Sequence, residues 1–347
     1  MRRFWLFRSN LKTLEYYHDS FYCNLKNFKE GCHDFYMLLP LWLLENDYFD
    51  EVVIWRLIDR DKEPIYFSVN NKHYYQMFVR DFREVFSFTK PEISFFRGGF
   101  KEYDEITKTN PKHFGLKLYL GAGRRITSHW GGVYDFYLME DERDFHPISK
   151  CNKIPFYKTA SPQIFHPIES IDKEWDICWP CNFEQIRYKG QELFLDLVFK
   201  SKILQNLRIV HCGNKSEVGK KMCEERKINN IYFSGHVNRT ELNMFLNRSK
   251  FGLNLSNIQD GCPRVSTEIL MSGTPLIINE ETRLLNYYKQ KGVIEVNKEN
   301  FEKKIEEGIE KYKQLKQQVN NAINNELSFD NICKKNIELW QKIGIQV

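Results

Sequence analysis

Residues 251–278, FGLNLSNIQDGCPRVSTEILMSGTPLII, constrain the fold more than any other part of the chain. The apolar run 251–255 has the length of a buried strand, and Gly261 and Pro263 break up the residues after it. A helical pattern then covers 265–271, and Gly273-Thr274-Pro275 stops it ahead of a second apolar run at 276–278. Strand, loop, helix and strand in this order make one unit of a parallel α/β sheet. Ligands of such sheets sit at the carboxyl ends of the strands, so Ser256, Asn257, Asp260, Gly261, Arg264, Val265 and Glu268 fall where a site is expected. Asp260 and Glu268 stand there in an acid-x7-acid arrangement, which a helix cap and an ordinary helical glutamate would also produce.

The rest of the chain repeats the alternation. Strand-like runs at 4–7, 52–58, 93–96, 116–120, 134–139 and 154–157 share the first half with helical patterns at 14–28 and 71–86, the latter with Tyr74, Met77, Phe78, Phe82 and Val85 on one face. In the second half strands are expected at 175–179, 207–211, 231–233 and 293–296, and helices at 192–204, 215–227, 240–247, 299–325 and 331–343. Alternation of this kind implies parallel βαβ units, and 347 residues suffice for two doubly wound, Rossmann-like halves. The Pro-bracketed stretch Ser161-Pro162-Gln163-Ile164-Phe165-His166-Pro167 cannot be a regular helix and reads as their linker. We therefore expect domains at 1–163 and 164–328, with 329–347 as a final helix.

Composition removes several functional classes. A net charge of +5, dispersed over many Lys and Glu, pulls only weakly on anionic partners and does not describe a nucleic-acid binder. Only four apolar residues, 4–7, separate the basic start from Arg8, too few for a secretion signal. The run 35–44 contains Pro40 and is far short of the ~20 residues a bilayer requires, so it reads as a buried helix or loop; peripheral contact with a membrane face stays open. Nine irregularly spaced cysteines fit reduced thiols and a cytoplasmic location. Cys178-Trp179-Pro180-Cys181 has the spacing of a redox pair, but no second Cys-x-x-Cys exists to complete a zinc site.

Asp260-x7-Glu268, followed by Ser272-Gly273-Thr274-Pro275 and containing Pro263-Arg264-Val265-x-x-Glu268, resembles the nucleotide-sugar-dependent glycosyltransferases of GT-B architecture, in particular the retaining group with an acid-x7-Glu loop and an Ala/Ser-Gly-x-Pro turn. The resemblance extends over about 175–296. It implies two Rossmann-like domains facing a cleft, a donor in the second and an acceptor in the first, with the last helix crossing back to the first. Asp260 would approach the donor sugar and Glu268 would bond the nucleotide ribose. Lys189, within Arg187-Tyr188-Lys189-Gly190 ahead of a helix, inherits the diphosphate, which a helix N-terminus with adjacent cations is physically suited to hold. The Gly-Arg pair usual in the family is replaced by Cys181-Asn182, leaving Arg187 or, better placed in the loop, Arg264.

Gly213 and Gly235 stand at strand ends where backbone would approach a ligand closely, and Gly235, His236 and Val237 would border the nucleobase. In the first half, Arg97-Gly98-Gly99 and Gly121-Ala122-Gly123-Arg124-Arg125 follow strands, and the guanidiniums suit an anionic acceptor or the donor phosphates. The strand-exit histidine usual in the family is absent, and His129, a few residues further on, is the candidate for contacting the transferred sugar. No His cluster stands out as a metal site, and no cofactor is implied beyond the nucleoside diphosphate sugar as donor substrate. The reading is a metal-independent, retaining hexosyltransferase of glycan biosynthesis, acting on a glycan, lipid-linked glycan, protein or small molecule. An epimerase or sugar phosphorylase on the same fold, or a catalytically inactive nucleotide-sugar-binding subunit, remains open.

Overall fold

The computed structural model describes residues 1–9, 25–32, 34–57, 63–98, 100–121, 133–141, 152–257, 264–282 and 285–345. The chain divides into two compact units, Met1–Lys158 with Cys333–Val347, and Thr159–Ile332.

In the first unit, strands β1 Arg3–Ser9, β2 Glu51–Leu57, β3 Ile65–Val69, β4 Lys72–Val79, β5 Ile93–Arg97, β6 Leu116–Leu120, β7 Phe136–Met139 and β8 Asn152–Pro155 form one sheet in the order β3-β4-β2-β1-β5-β6-β7-β8. All pairs are parallel except β3 with β4. A parallel sheet covered on both faces needs strands apolar on both sides, which is why β1 carries Phe4, Trp5, Leu6 and Phe7 in succession, all buried. One face is aromatic: Phe7 stacks on Phe96 at 4.5 Å and Trp5 meets Trp55 edge-on at 5.2 Å. The other face receives helix Phe35–Glu45, whose residues up to Leu44 are all buried and whose N-terminus is capped by Asp34 accepting from the Tyr36 amide at 3.0 Å. The run 35–44 is thus a buried helix, and among the described residues no helix is long and apolar enough to cross a membrane.

The expected helix over 71–86 is not formed. Residues Lys72–Val79 are β4, paired antiparallel with β3 and parallel with β2, and a 3-10 turn, Phe82–Ser87, follows. The turn between the strands is Asn70-Asn71, with φ of +50° and +62°, the left-handed geometry that two-residue hairpins require. Buried Tyr74 and Gln76 follow the period of two, while Asp81 starts a separate turn through its own capping box. The apolar spacing fitted a helix as well as a strand, and pairing with β2 decided it.

In the second unit, β9 Trp175–Pro180, β10 Ile209–Cys212, β11 Ile231–Gly235, β12 Ser249–Asn254, β13 Leu276–Asn279 and β14 Val293–Val296 form an all-parallel sheet in the order β11-β10-β9-β12-β13-β14. The chain builds outward from β9 on one side and then returns to place β12 on the other, so the strand order reverses between β9 and β12. In the first sheet the same reversal lies between β1 and β5. Such reversals open a crevice at the carboxyl ends of the strands.

Helix Arg264–Met271 lies close on β12 because Gly252 has no side chain; a Cβ there would meet Ile269 at 2.5 Å. Replacing Gly252 with alanine forces Ile269 off its buried seat, and we expect a loss of about 1–3 kcal/mol in denaturant-unfolding stability. A stability equal to that of the parent chain would show that the helix sits more loosely on the strand.

Candidate functional site

The site builds from the helix that follows β12. Residues 258–263 lie outside the described residues, and with them the expected Asp260 and Gly261. Helix Arg264–Met271 begins directly after, with Arg264 exposed, Val265 half-buried, and every residue from Ser266 onward buried. Asn254, the last residue of β12, donates to Ser266 Oγ at 2.7 Å and fixes the start of the helix on the strand end. Its stop is made by Gly273 at φ +72°, with the Gly273 and Thr274 amides returning to Leu270 and Ile269.

Glu268 is therefore a carboxylate within a buried helix, 4% exposed, and such a charge persists only when paired. Arg239 pairs it: one guanidinium nitrogen, Nη1, donates to both carboxylate oxygens at 3.0 and 2.9 Å. Arg239 is the first residue of helix Arg239–Asn247, entered through a capping box of Asn238 and Glu241. Nothing in the sequence spacing pointed to it. One signal was available: a cation in the first turn opposes the helix dipole, so it needs an acid elsewhere. Both oxygens of Glu268 keep acceptor capacity for hydroxyl groups beside Arg239.

Lys189 and Gly190 reach the end of the same strand from the other side of the reversal. Ile186–Lys189 is a single helical turn, Gly190 breaks it at φ +71°, and helix Gln191–Lys200 starts afresh. A Cβ on Gly190 would lie 2.5 Å from the Leu255 carbonyl, so the loop rests on the backbone just past β12, and the Asn257 amide donates to the Tyr188 carbonyl at 2.8 Å. Lys189 is half-buried, and its charge works against the burial that pushes the Cys181 thiol up. Gln191, fully buried, donates to the Asn182 carbonyl at 2.8 Å. The side chain of Arg187 and all of His129 lie outside the described residues.

At the β10 exit, Gly213 is required by the protein's own backbone, since a Cβ there would fall 1.7 Å from the Cys181 carbonyl. Asn182 Oδ1 accepts the Asn214 amide at 2.9 Å and seals this contact. Gly235, by contrast, has φ +80°, and a Cβ there would meet nothing within 4 Å, while its carbonyl accepts the Gly213 amide at 2.9 Å. His236 is exposed and Val237 half-buried against the core. Ser256 is buried and tied down, its amide to Asn254 Oδ1 at 3.0 Å and its carbonyl to the Thr282 hydroxyl.

The Cys-x-x-Cys run is not a dithiol. Cys178 packs into the core on one face of β9 and Cys181 against that on the other, as an extended strand dictates, and the Cys178 thiol bonds to Cys212 and Ser249 instead. Among the described residues no group of three or more His, Cys, Asp and Glu is arranged to hold a metal ion.

His211 in β10 is fully buried among Trp179, Phe183 and Phe233, donating from Nε2 to the Cys181 carbonyl at 2.9 Å, while Nδ1 has no partner. Burial lowers its pKa from 6.5 to about 4. The unfolded chain therefore binds a proton that the folded chain refuses between these values. This contribution to stability is complete above pH 6.5 and lost as pH falls toward 4, with a slope of at most about 1.4 kcal/mol per pH unit. Unfolding measured across this range should lose that component in His211→Phe; an unchanged slope would mean that His211 is protonated in the native state.

No curated protein matches the chain in sequence. Residues 183–325 match the family model described as glycosyl transferases group 1. Solved structures of similar fold include sucrose-phosphate synthase from Thermosynechococcus elongatus, at 9% identity and TM-score 0.65 over 99% of each chain. The trehalose-6-phosphate structure from E. coli bound with UDP-2-fluoro glucose aligns at 8% identity and TM-score 0.61, over 97% of this chain and 98% of that one. An alpha-glucosyltransferase in complex with UDP and a 13-mer DNA aligns at 12% identity and TM-score 0.65, over 98% and 99%. At these identities the likeness is one of fold, and the fold is GT-B. The chain carries a glycosyl transferases group 1 domain within that frame.

Proposed function

We propose that this glycosyltransferase moves a sugar from a nucleoside diphosphate donor, held at the carboxyl ends of β9 to β13, onto a hydroxyl of an acceptor. The observation that carries the reading is the meeting, at the end of β12, of the Lys189-Gly190 loop on Leu255 and of the helix that buries Glu268 against Arg239. UDP and UDP-2-fluoro glucose, named with two proteins of similar fold, support a nucleotide sugar as the donor class.

Within this proposal the ribose hydroxyls donate to Glu268, whose carboxylate Arg239 holds in place. The diphosphate lies by Lys189, Gly190 and the start of helix Gln191–Lys200, with Arg264 as second cation and Gly235, His236 and Val237 beside the base. Negative charge grows on the diphosphate as the glycosidic bond breaks, so these cations act most strongly in the transition state. We assign the neutralisation to these side chains and not to a metal ion. Asp260 faces the sugar and the anomeric configuration is retained; both assignments rest on the acid-x7-Glu pattern.

Glu268→Ala should weaken UDP binding about tenfold or more, because each hydroxyl loses a charged acceptor worth ~1.5–3 kcal/mol. Arg239→Gln should weaken it less while costing stability, since Glu268 then stays buried without its cation. Calorimetric titration of the folded variants checks both, and unchanged affinity in Glu268→Ala would remove it from the donor site.

Lys189→Ala and Arg264→Ala should each lower kcat about a hundredfold while changing donor Kd little. Turnover should also survive EDTA. Loss of activity on chelation, restored by Mg²⁺ or Mn²⁺, would transfer the role of these cations to a metal.

A further inference from the structure

Three arginines stand side by side in the first unit. Arg56, Arg8 and Arg97 share one register across β2, β1 and β5. Residues in register on neighbouring parallel strands project to the same face, about 4.8 Å apart. The row lies at the carboxyl ends of its strands and spans the reversal of strand order between β1 and β5, where an open α/β sheet receives a ligand. Arg8 and Arg56 are 5% and 6% exposed, and Arg97 is half-buried.

Three adjacent guanidiniums repel one another and lose hydration on burial, so the fold must offset them. Part of the offset is visible. Arg8 Nη2 pairs with Asp34 at 2.5 Å, Arg56 lies over the Phe78 ring at 5.8 Å, and Arg97 lies over the Tyr36 ring at 4.0 Å. Glu140, the carboxylate whose charge Arg97 helps to hold, is engaged by the Tyr36 hydroxyl at 2.6 Å and by Lys158 at 2.7 Å. Arg97 Nε is left buried with no acceptor. A charged donor buried without an acceptor is a costly arrangement, and a bound anion would relieve it.

We propose that this end of the first sheet is a phosphate-binding site, and that the phosphate is a monoester on the acceptor. The second clause rests on the glycosyl transfer proposed above; the first does not. A tetrahedral dianion offers oxygens in several directions to a row of planar donors, whereas a carboxylate is satisfied by one fork.

The test uses the full-length chain with saturating UDP present, titrated at fixed ionic strength with glucose 6-phosphate, inorganic phosphate and glucose. Both phosphates should bind and glucose should not, with glucose 6-phosphate the tighter. Arg97→Gln should weaken both about tenfold, and Arg97→Lys should weaken them less. In the unaltered chain, phosphate should protect Arg97 from phenylglyoxal, read by peptide mass spectrometry, so the outcome does not depend on a variant that folds. Absence of phosphate binding, or modification of Arg97 unaffected by phosphate, overturns the site. Equal affinity for inorganic phosphate and glucose 6-phosphate overturns the acceptor clause. Failure of UDP to bind while phosphate still protects Arg97 would leave this site standing and defeat the donor reading alone.

Discussion

A carboxylate inside a buried helix cannot be left to water, and the pairing of Glu268 with Arg239 is the condition on which the second unit's functional edge depends. Helix Arg264–Met271 is pressed onto β12 by the absence of a side chain at Gly252 and is turned back into the sheet by Gly273. That leaves Glu268 facing the neighbouring helix, whose first residue is the arginine that answers it. The ion pair ties together the helices that follow β11 and β12, since Arg239 opens one and Glu268 lies within the other. In the proposed donor site, the contact that satisfies this buried charge is also the one that positions the hydroxyl acceptor.

The parallel strands were legible because burial on both faces leaves apolar runs that little else produces, and nearly every expected strand has a counterpart in the two sheets. The Lys189-Gly190 loop was legible for a similar reason: a glycine ahead of a helix marks a backbone reversal, and Gly190 has the positive φ to match. Residues 71–86 misled because Tyr74, Met77 and Phe78 stand at helical spacing, whereas the strand period shows only in buried Tyr74 and Gln76, and the Asn70-Asn71 turn carries no glycine to announce a hairpin. Gly213 was read as a place of close approach, which it is, though to the Cys181 carbonyl. Arg239 escaped because its partner stands 29 residues away, beyond any local pattern. Tertiary pairing, not composition, supplies that information.

The two sheets meet a similar demand at their reversals by different means. In the second, the strand ends present backbone and a few cations: Gly190 laid on Leu255, the empty space beside the Gly235 Cα, a half-buried Lys189. In the first, the strands themselves end in guanidiniums, with aromatic rings beneath two of them. Backbone amides recognise an anion through fixed geometry and tolerate small changes of side chain. An arginine row depends on side chains alone, so its ligand preference can change by single substitutions while the sheet stays intact.

The strand order has a consequence for how the chain reaches this state. β9 is laid down first in its sheet yet ends beside β12, and the Lys250–Asp176 bridge across that pair joins residues 74 apart. No hairpin can template the central pairing, so loop closure must precede most of the stabilising contact, and the second sheet belongs to the slow-folding class of topologies. Until β12 arrives, one long edge of β9 stays open with Ile177 and Cys178 on it, a surface that another chain could pair with. The crevice at the reversal and a hazard during biosynthesis are thus two results of a single connection.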